Sequence, residues 1–145
     1  MKIKSKIQLI PAVDEDVEYL INLYYETMAK HIKNADLIQS NNYIKERIIY
    51  RLDCAQIIII NGERGGLLKV IKNDADWELY QVQVAAKFQG KGIGSKILME
   101  VLRSAKQMGA HVRLNVLKNN PAKRLYERLG FRVDREDLYF YGMSK

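Results

Sequence analysis

Polar and apolar residues alternate through residues 2–9, a period of two that predicts a first strand, ended by Pro11. The period then lengthens. Asp14 stands as an N-cap, Glu15 and Asp16 bring negative charge to a first turn, and Val17, Leu20, Ile21, Tyr24 and Met28 form the apolar stripe of a helix. After a polar stretch, residues 30–42, the residues Ile44, Ile48 and Leu52 align as the face of a second helix. Apolar runs at residues 56–60 and 65–71 flank Asn61-Gly62, the pair that a tight hairpin turn favours. Residues 73–76 turn the chain again, into a fourth strand over residues 77–84.

Ile97, Leu98, Val101, Leu102 and Ala105 make the core-facing stripe of the next helix, which Gly109 ends. Residues 112–116 return as a strand, so this strand, helix and returning strand form a βαβ unit whose strands are expected to lie parallel in one sheet. Asn120 and Pro121 open a short helix at N-cap and N1, Gly130 closes it, and residues 131–133 and 138–143 supply the last two strands. The order is that of an α/β fold with a mixed sheet.

A chain of 145 residues, 48% of them hydrophobic and without repeats or low-complexity segments, is expected to form one soluble domain over residues 1–145. Residues 1–7 lack the apolar core of a signal peptide, and the longest apolar run, residues 55–60, is far too short for a bilayer. A cytoplasmic location and no membrane partner are therefore expected. The single cysteine, Cys54, cannot make an internal disulfide and reads as a small residue at a helix end rather than a nucleophile. No metal is expected. A net charge of +7 invites a nucleic-acid partner, but Lys2, Lys4 and Lys6 alternate with Ile3, Ser5 and Ile7 as on the wet face of a strand. Acidic runs at residues 14–16 and 134–137 break the field further, so no nucleic-acid partner is expected.

The chemistry concentrates in Gln89-Gly90-Lys91-Gly92-Ile93-Gly94-Ser95, where a strand ends and a helix begins. Glycines at alternate positions bare backbone N–H groups, the helix dipole adds partial positive charge, and Lys91 adds a mobile cation, which together suit a phosphate. A dinucleotide fingerprint would need glycine at Ser95, and the G-x-x-x-x-G-K-[ST] spacing is absent. A glycine-rich turn with no ligand is the plain alternative. Downstream stands Asn119-Asn120-Pro121-Ala122-Lys123-Arg124-Leu125-Tyr126-Glu127-Arg128-Leu129-Gly130-Phe131.

The loop Q-G-x-G-x-G and this second block, N-x-A-x-x-x-Y-x-x-x-G-F, together resemble the two signature motifs of the GNAT family of N-acetyltransferases. The resemblance covers residues 78–131; upstream only the order of elements supports it. It implies a mixed, mostly antiparallel sheet with a central splayed parallel strand pair, flanked by helices, and acetyl-CoA as co-substrate without a metal. It further implies that Val82, Gln83 and Val84 run beside the pantetheine arm, that an N–H near Val84 polarises the thioester oxygen, and that residues Gln89, Gly90, Lys91, Gly92, Ile93, Gly94 and Ser95 hold the pyrophosphate. Asn120 matches a cofactor-contacting asparagine, although N-capping also explains it. Tyr126 matches the family's general acid for the leaving thiolate, and it also lies on the helix's apolar stripe with Ala122, Leu125 and Leu129. A carboxylate on the fourth strand often serves as general base. The comparison places that role at Glu78 or at Tyr80, and of the two only Glu78 is a base; His31 and His111 read as structural.

Two departures touch the pattern: Ala85-Ala86-Lys87 replaces a common proline-containing turn, and Gln89 stands where arginine is frequent. The acceptor is expected to be a primary amine of a small molecule or peptide, framed by residues 30–43 and by Tyr139, Phe140 and Tyr141, whose strand could also pair with another subunit in a homodimer. Two other readings remain open at this stage: a degenerate acyl-CoA-binding sensor and a basic nucleic-acid adaptor.

Overall fold

The computed structural model describes residues 5–34 and 40–145. Strand β1 is Ile7–Pro11, so Pro11 is its last residue rather than the residue that stops it. A proline is tolerated there because β1 pairs only with β2 (Ala55–Ile60) and lies at the sheet edge. The expected residues 2–4 of this strand fall outside the described residues. Asp14 does not cap the long helix. Residues Asp14–Asp16 form a 3-10 turn in which the Asp16 carboxylate accepts from the Val13 N–H at 2.9 Å, and α1 (Val17–Asn34) starts after it. Helix α1 runs five residues into the stretch read as a polar connection, residues 30–34. Ser40 Oγ accepts from the Tyr43 N–H and caps α2 (Asn41–Ile49).

The remaining elements are β3 (Glu63–Asn73), β4 (Asp76–Val84), α3 (Ile93–Gln107), β5 (His111–Leu117), α4 (Ala122–Arg128), β6 (Arg132–Glu136) and β7 (Phe140–Ser144). The β2–β3 turn has Asn61 and Gly62 both at positive φ, as their hairpin pairing requires. Leu138 and Tyr139 lie in the last turn rather than in β7, because Asp137 Oδ1 accepts from the N–H groups of Tyr139 and Phe140 and pins that turn.

One seven-stranded sheet runs β1-β2-β3-β4-β5-β7-β6. Alternation sorts its side chains into two layers. Ile58, Ile60, Leu68, Trp77 and Leu79 pack against α3 and α4 through Ile97, Leu98 and Tyr126, while Ile57 and Leu67 pack against Leu20, Leu23, Ile44 and Ile48 of α1 and α2. All pairs are antiparallel except β4 with β5, which pair in parallel only over Asp76–Glu78 and His111–Arg113. Beyond that point each strand stays with its other neighbour, β4 with β3 as far as Gly66–Val84 and β5 with β7 as far as Leu117–Phe140. The centre of the sheet is therefore splayed.

A bulge beside the splay leaves Tyr80 as an extra residue of β4, between the pairs Lys69–Gln81 and Val70–Leu79. Lys69, fully buried on β3, donates from Nζ to the carbonyls of Arg47, Ile48 and Tyr50 at 3.0, 3.0 and 2.6 Å. It thereby caps the negative end of α2. Burial, and secondarily the Arg47 guanidinium, push its ammonium down to about 8. The folded protein thus loses this proton at lower pH than the unfolded chain, so stability gains as pH rises from about 8 toward the ordinary value of 10.5. By denaturant titration, the stability of the wild type relative to Lys69→Met is expected to climb by about 1 kcal/mol per pH unit in that window. A difference that stays flat with pH contradicts the buried ammonium.

Candidate active site

The splay turns backbone toward a gap. The Ala85 N–H donates to the Gly65 carbonyl at 2.8 Å, so by strand alternation the N–H and C=O groups of Val82 and Val84 point away from β3, toward the space that β5 vacates. Gln89 Nε2 donates to the Val84 carbonyl at 2.9 Å and ties the end of β4 to the glycine loop. From the other layer, Glu26 of α1 accepts from the Ala86 N–H at 2.8 Å, which anchors the same corner.

Gly90 and Gly92 have φ of +78° and +77°, a region open to glycine at little cost, and Gly92 is the N-cap of α3. The carbonyl of Gly92 receives the first helical bond, from Lys96 N–H, which leaves the N–H groups of Ile93, Gly94 and Ser95 without intrahelical partners. A Cβ placed on Gly90 or Gly92 would meet nothing within 4 Å, and one on Gly94 only Val84 Cγ2 at 3.9 Å. The loop is thus an open cradle of amides at the positive end of a 15-residue helix. Lys91 is exposed beside it, with Nζ 5.8 Å from the Phe88 ring.

A cavity of about 460 Å³ joins these pieces; its wall includes Val82, Gln83, Val84, Gln89, Gly90, Gly92, Ile93, Gly94 and Ser95 on one side and Asn120 and Tyr126 on the other. Lys91 is absent from that wall. Asn120 Oδ1 accepts from the Ala122 N–H at 2.9 Å, so it does cap α4, and it still reaches the cavity. Tyr126 is 7% exposed, edge-on to Phe131, with its hydroxyl pushed up to about 12 by burial. Tyr126 thus packs in the core, as its place on the apolar stripe predicts, and also borders the cavity. His31 also lines the cavity, whereas His111 is exposed at the start of β5.

Through the splay lies a second, smaller cavity of about 80 Å³ on the α1–α2 side of the sheet, and Met28, Val82, Gln83, Asn120 and Tyr126 border both. It also meets Arg47, Tyr80, Gln81 and Phe140. The structure does not bring Glu78 there. Its side chain sits where β4 and β5 are still paired, 3.6 Å from Arg113 Nη1, and borders neither cavity. Of the aromatic trio of the last strand, Phe140 alone borders the second cavity. Sequence reasoning passed over Arg47 and Gln81. The signal for Gln81 and Gln83 was two glutamines at alternate positions within the otherwise apolar run 79–84; Arg47 had none beyond its place three residues after Ile44.

A cradle for an anion opens onto exposed strand backbone, which leads to a buried phenol and a second cleft beyond. Comparisons with known proteins give this arrangement a context. Among solved structures, PaiA N-acetyltransferase from Thermoplasma acidophilum in complex with coenzyme A aligns with a TM-score of 0.75 at 21% identity, over 97% of this chain and 98% of that one. A protein from Pyrococcus horikoshii OT3 aligns with a TM-score of 0.79 at 22% identity, over 98% of each chain. Arabidopsis thaliana Naa50 in complex with the bisubstrate analogue CoA-Ac-MVNAL aligns with a TM-score of 0.69 at 21% identity, over 96% of this chain and 97% of that one. At these identities the likeness establishes the fold. No curated protein matches the sequence. The family model for the acetyltransferase (GNAT) domain matches residues 45–133, more than half of the chain and the whole stretch from α2 through the glycine loop to α4. On that match and that architecture, this chain belongs to the GNAT acetyltransferase domain family.

Proposed function

We propose that this protein is an acetyl-CoA-dependent N-acetyltransferase that passes acetyl directly to a primary amine in a ternary complex, with no covalent enzyme intermediate. The observation that carries the reading is the shared wall: Val82, Gln83 and Tyr126 at the splay border both cavities. A donor on one side of the sheet can thus be reached by a nucleophile from the other. Coenzyme A fits the larger cavity by chemistry. Its pyrophosphate needs clustered N–H donors, which residues 93–95 offer, and its two pantetheine amides need open strand backbone, which the N–H and C=O of Val82 and the N–H of Val84 offer. Bound there, acetyl-CoA would supply an activated acyl group as a thioester.

The protein's own groups account for the rest. A free N–H at the end of β4 is placed to stabilise charge developing on the acyl oxygen. As the amine nitrogen forms its bond to the acyl carbon and the carbon–sulfur bond breaks, the Tyr126 hydroxyl donates a hydrogen bond to the departing sulfur. The excess proton of the amine leaves to water on the α1–α2 side. Glu78 is paired with Arg113 outside the cleft, so any help it gives as a base runs through water. Glu78→Gln is accordingly expected to lower kcat less than about tenfold, below the range for a direct general base; a larger loss at unchanged stability would return the proton-removing role to this side chain.

A thiol-release assay with acetyl-CoA across small amines, amino acids, polyamines and short peptides tests the whole reading. Release that depends on one class of amine supports it. Coenzyme A binding without release for any acceptor would make the protein a binding module instead.

A further inference from the structure

The second cavity is lined by polar side chains with atoms that have no hydrogen-bond partner among the described residues. Gln81 is 4% exposed, and both its amide oxygen and nitrogen are buried without a hydrogen-bond partner. Arg47 is the only charged residue among the described residues that line the cavity. Its Nη1 donates to Tyr80 Oη at 3.5 Å and its guanidinium lies 4.8 Å from the Tyr80 ring centre, but its Nε is buried with no acceptor. No ion pair to Arg47 occurs among the described residues. The Lys69 ammonium stands 5.3 Å from the same Tyr80 ring and fixes the Arg47 carbonyl at 3.0 Å. A positive charge is therefore held beside the pocket with the Nε of its fork unused.

A buried, unpaired polar group is destabilising, and native proteins keep few of them without a use. An arginine with its Nε side free matches a carboxylate, which takes two parallel N–H bonds from that edge. An amide with both atoms free can accept from one substrate N–H and donate to a substrate oxygen. A cavity of about 80 Å³ has room for roughly six water-sized groups, enough for a carboxylate on a short stem.

We propose that the amine acceptor carries a carboxylate, held by the Nε edge of Arg47 with Gln81 beside it, and that polycationic amines are repelled from the same cleft by Arg47 and Lys69. This inference rests on the acetyltransferase reading for its reaction, though the anion selectivity is also readable as binding alone.

The test uses a matched series: an amino carboxylate, its carboxamide and its decarboxylated amine, with spermidine as a polycation. Coenzyme A binding is measured first by calorimetry and is expected to be equal in the wild type and Arg47→Gln, which keeps donor failure separate from acceptor failure. In the wild type, kcat/KM for the carboxylate is expected to exceed that for its two analogues and spermidine by about 10- to 100-fold. Arg47→Gln should bring that ratio near one through KM, and Arg47→Lys should retain part of it. Should coenzyme A bind but no acceptor turn over, calorimetry of the series on the coenzyme A-loaded protein reads the same ratio. Preference for the carboxylate then supports the cleft's selectivity while acetyl transfer fails. Equal or absent binding across the series, a preference for spermidine, or an Arg47→Gln loss equal for all acceptors overturns the proposal.

Discussion

Gly94→Val is expected to weaken acetyl-CoA binding by about two to four orders of magnitude and to leave the fold almost unchanged. The separation of the two effects follows from where Gly94 sits. It is the second residue of α3, at an ordinary helical φ, and a Cβ there meets only Val84 Cγ2 at 3.9 Å. Replacing glycine removes an entropic cost of about 1 kcal/mol in a helix, and the β-branch returns roughly half of it. The added methyl groups, however, would occupy the cradle in front of the Ile93, Gly94 and Ser95 amides. Loss of two charge-assisted bonds of about 1.5–3 kcal/mol each corresponds to the stated drop in affinity. Calorimetry and thermal denaturation on the same sample check both halves. Unchanged affinity would mean that the loop is only a turn. Gly90 and Gly92 are poorer probes, because their positive φ would strain any other residue whatever the ligand did.

The second large effect concerns the hydroxyl of Tyr126. Tyr126→Phe keeps the ring that packs on Phe131 and removes one oxygen, so stability should change by about 1 kcal/mol or less. If that oxygen assists the departure of sulfur, kcat should fall by about 10²- to 10³-fold with the KM for acetyl-CoA nearly constant. Burial also fixes the pH behaviour. The hydroxyl is pushed up to about 12, so the donor form is the protonated one and persists across the working range. The rate should therefore rise with pH as the amine acceptor loses its proton, with no descending limb from Tyr126 below about pH 10. A Tyr126→Phe enzyme within about twofold of the wild type would remove the residue from the chemistry, and a descending limb near neutral pH that this variant abolishes would contradict the raised hydroxyl.

Much of this architecture was legible in the residues because local rules and tertiary needs agree. Asn61-Gly62 forms its hairpin turn, Gly109 and Gly130 end their helices at positive φ, and the βαβ unit around the glycine loop gives the one parallel pair of the sheet. The shape of the glycine cradle followed for the same reason, since a strand, an alternate-glycine turn and a helix form a contiguous device. The second cavity did not. It depends on contacts between residues far apart in sequence: Arg47 against Tyr80, Lys69 against the last carbonyls of α2. Lys69 sits in an apolar run where nothing marks it as a helix cap from another layer. The bulge at Tyr80 was equally silent, because it arises from how β3 and β4 pair, and it aims Tyr80 toward Arg47 while Glu78 stays with Arg113. Carrying a base to Glu78 by position along the strand could not account for that geometry. At the N-terminal helix, Asp14 offered a good cap, but Asp16 bonding back to Val13 won and made a 3-10 turn first.

Coenzyme A is expected to lie in the cradle with its arm in the splay. A ¹⁵N–¹H titration of the protein with coenzyme A tests this residue by residue. Saturable shifts of the Gly90, Gly92 and Gly94 amides are expected, together with those of Val82 and Val84. Shifts absent from these residues at saturating ligand, or confined to the groove on the sheet's other flank at Leu9, Cys54 and Trp77, would contradict it.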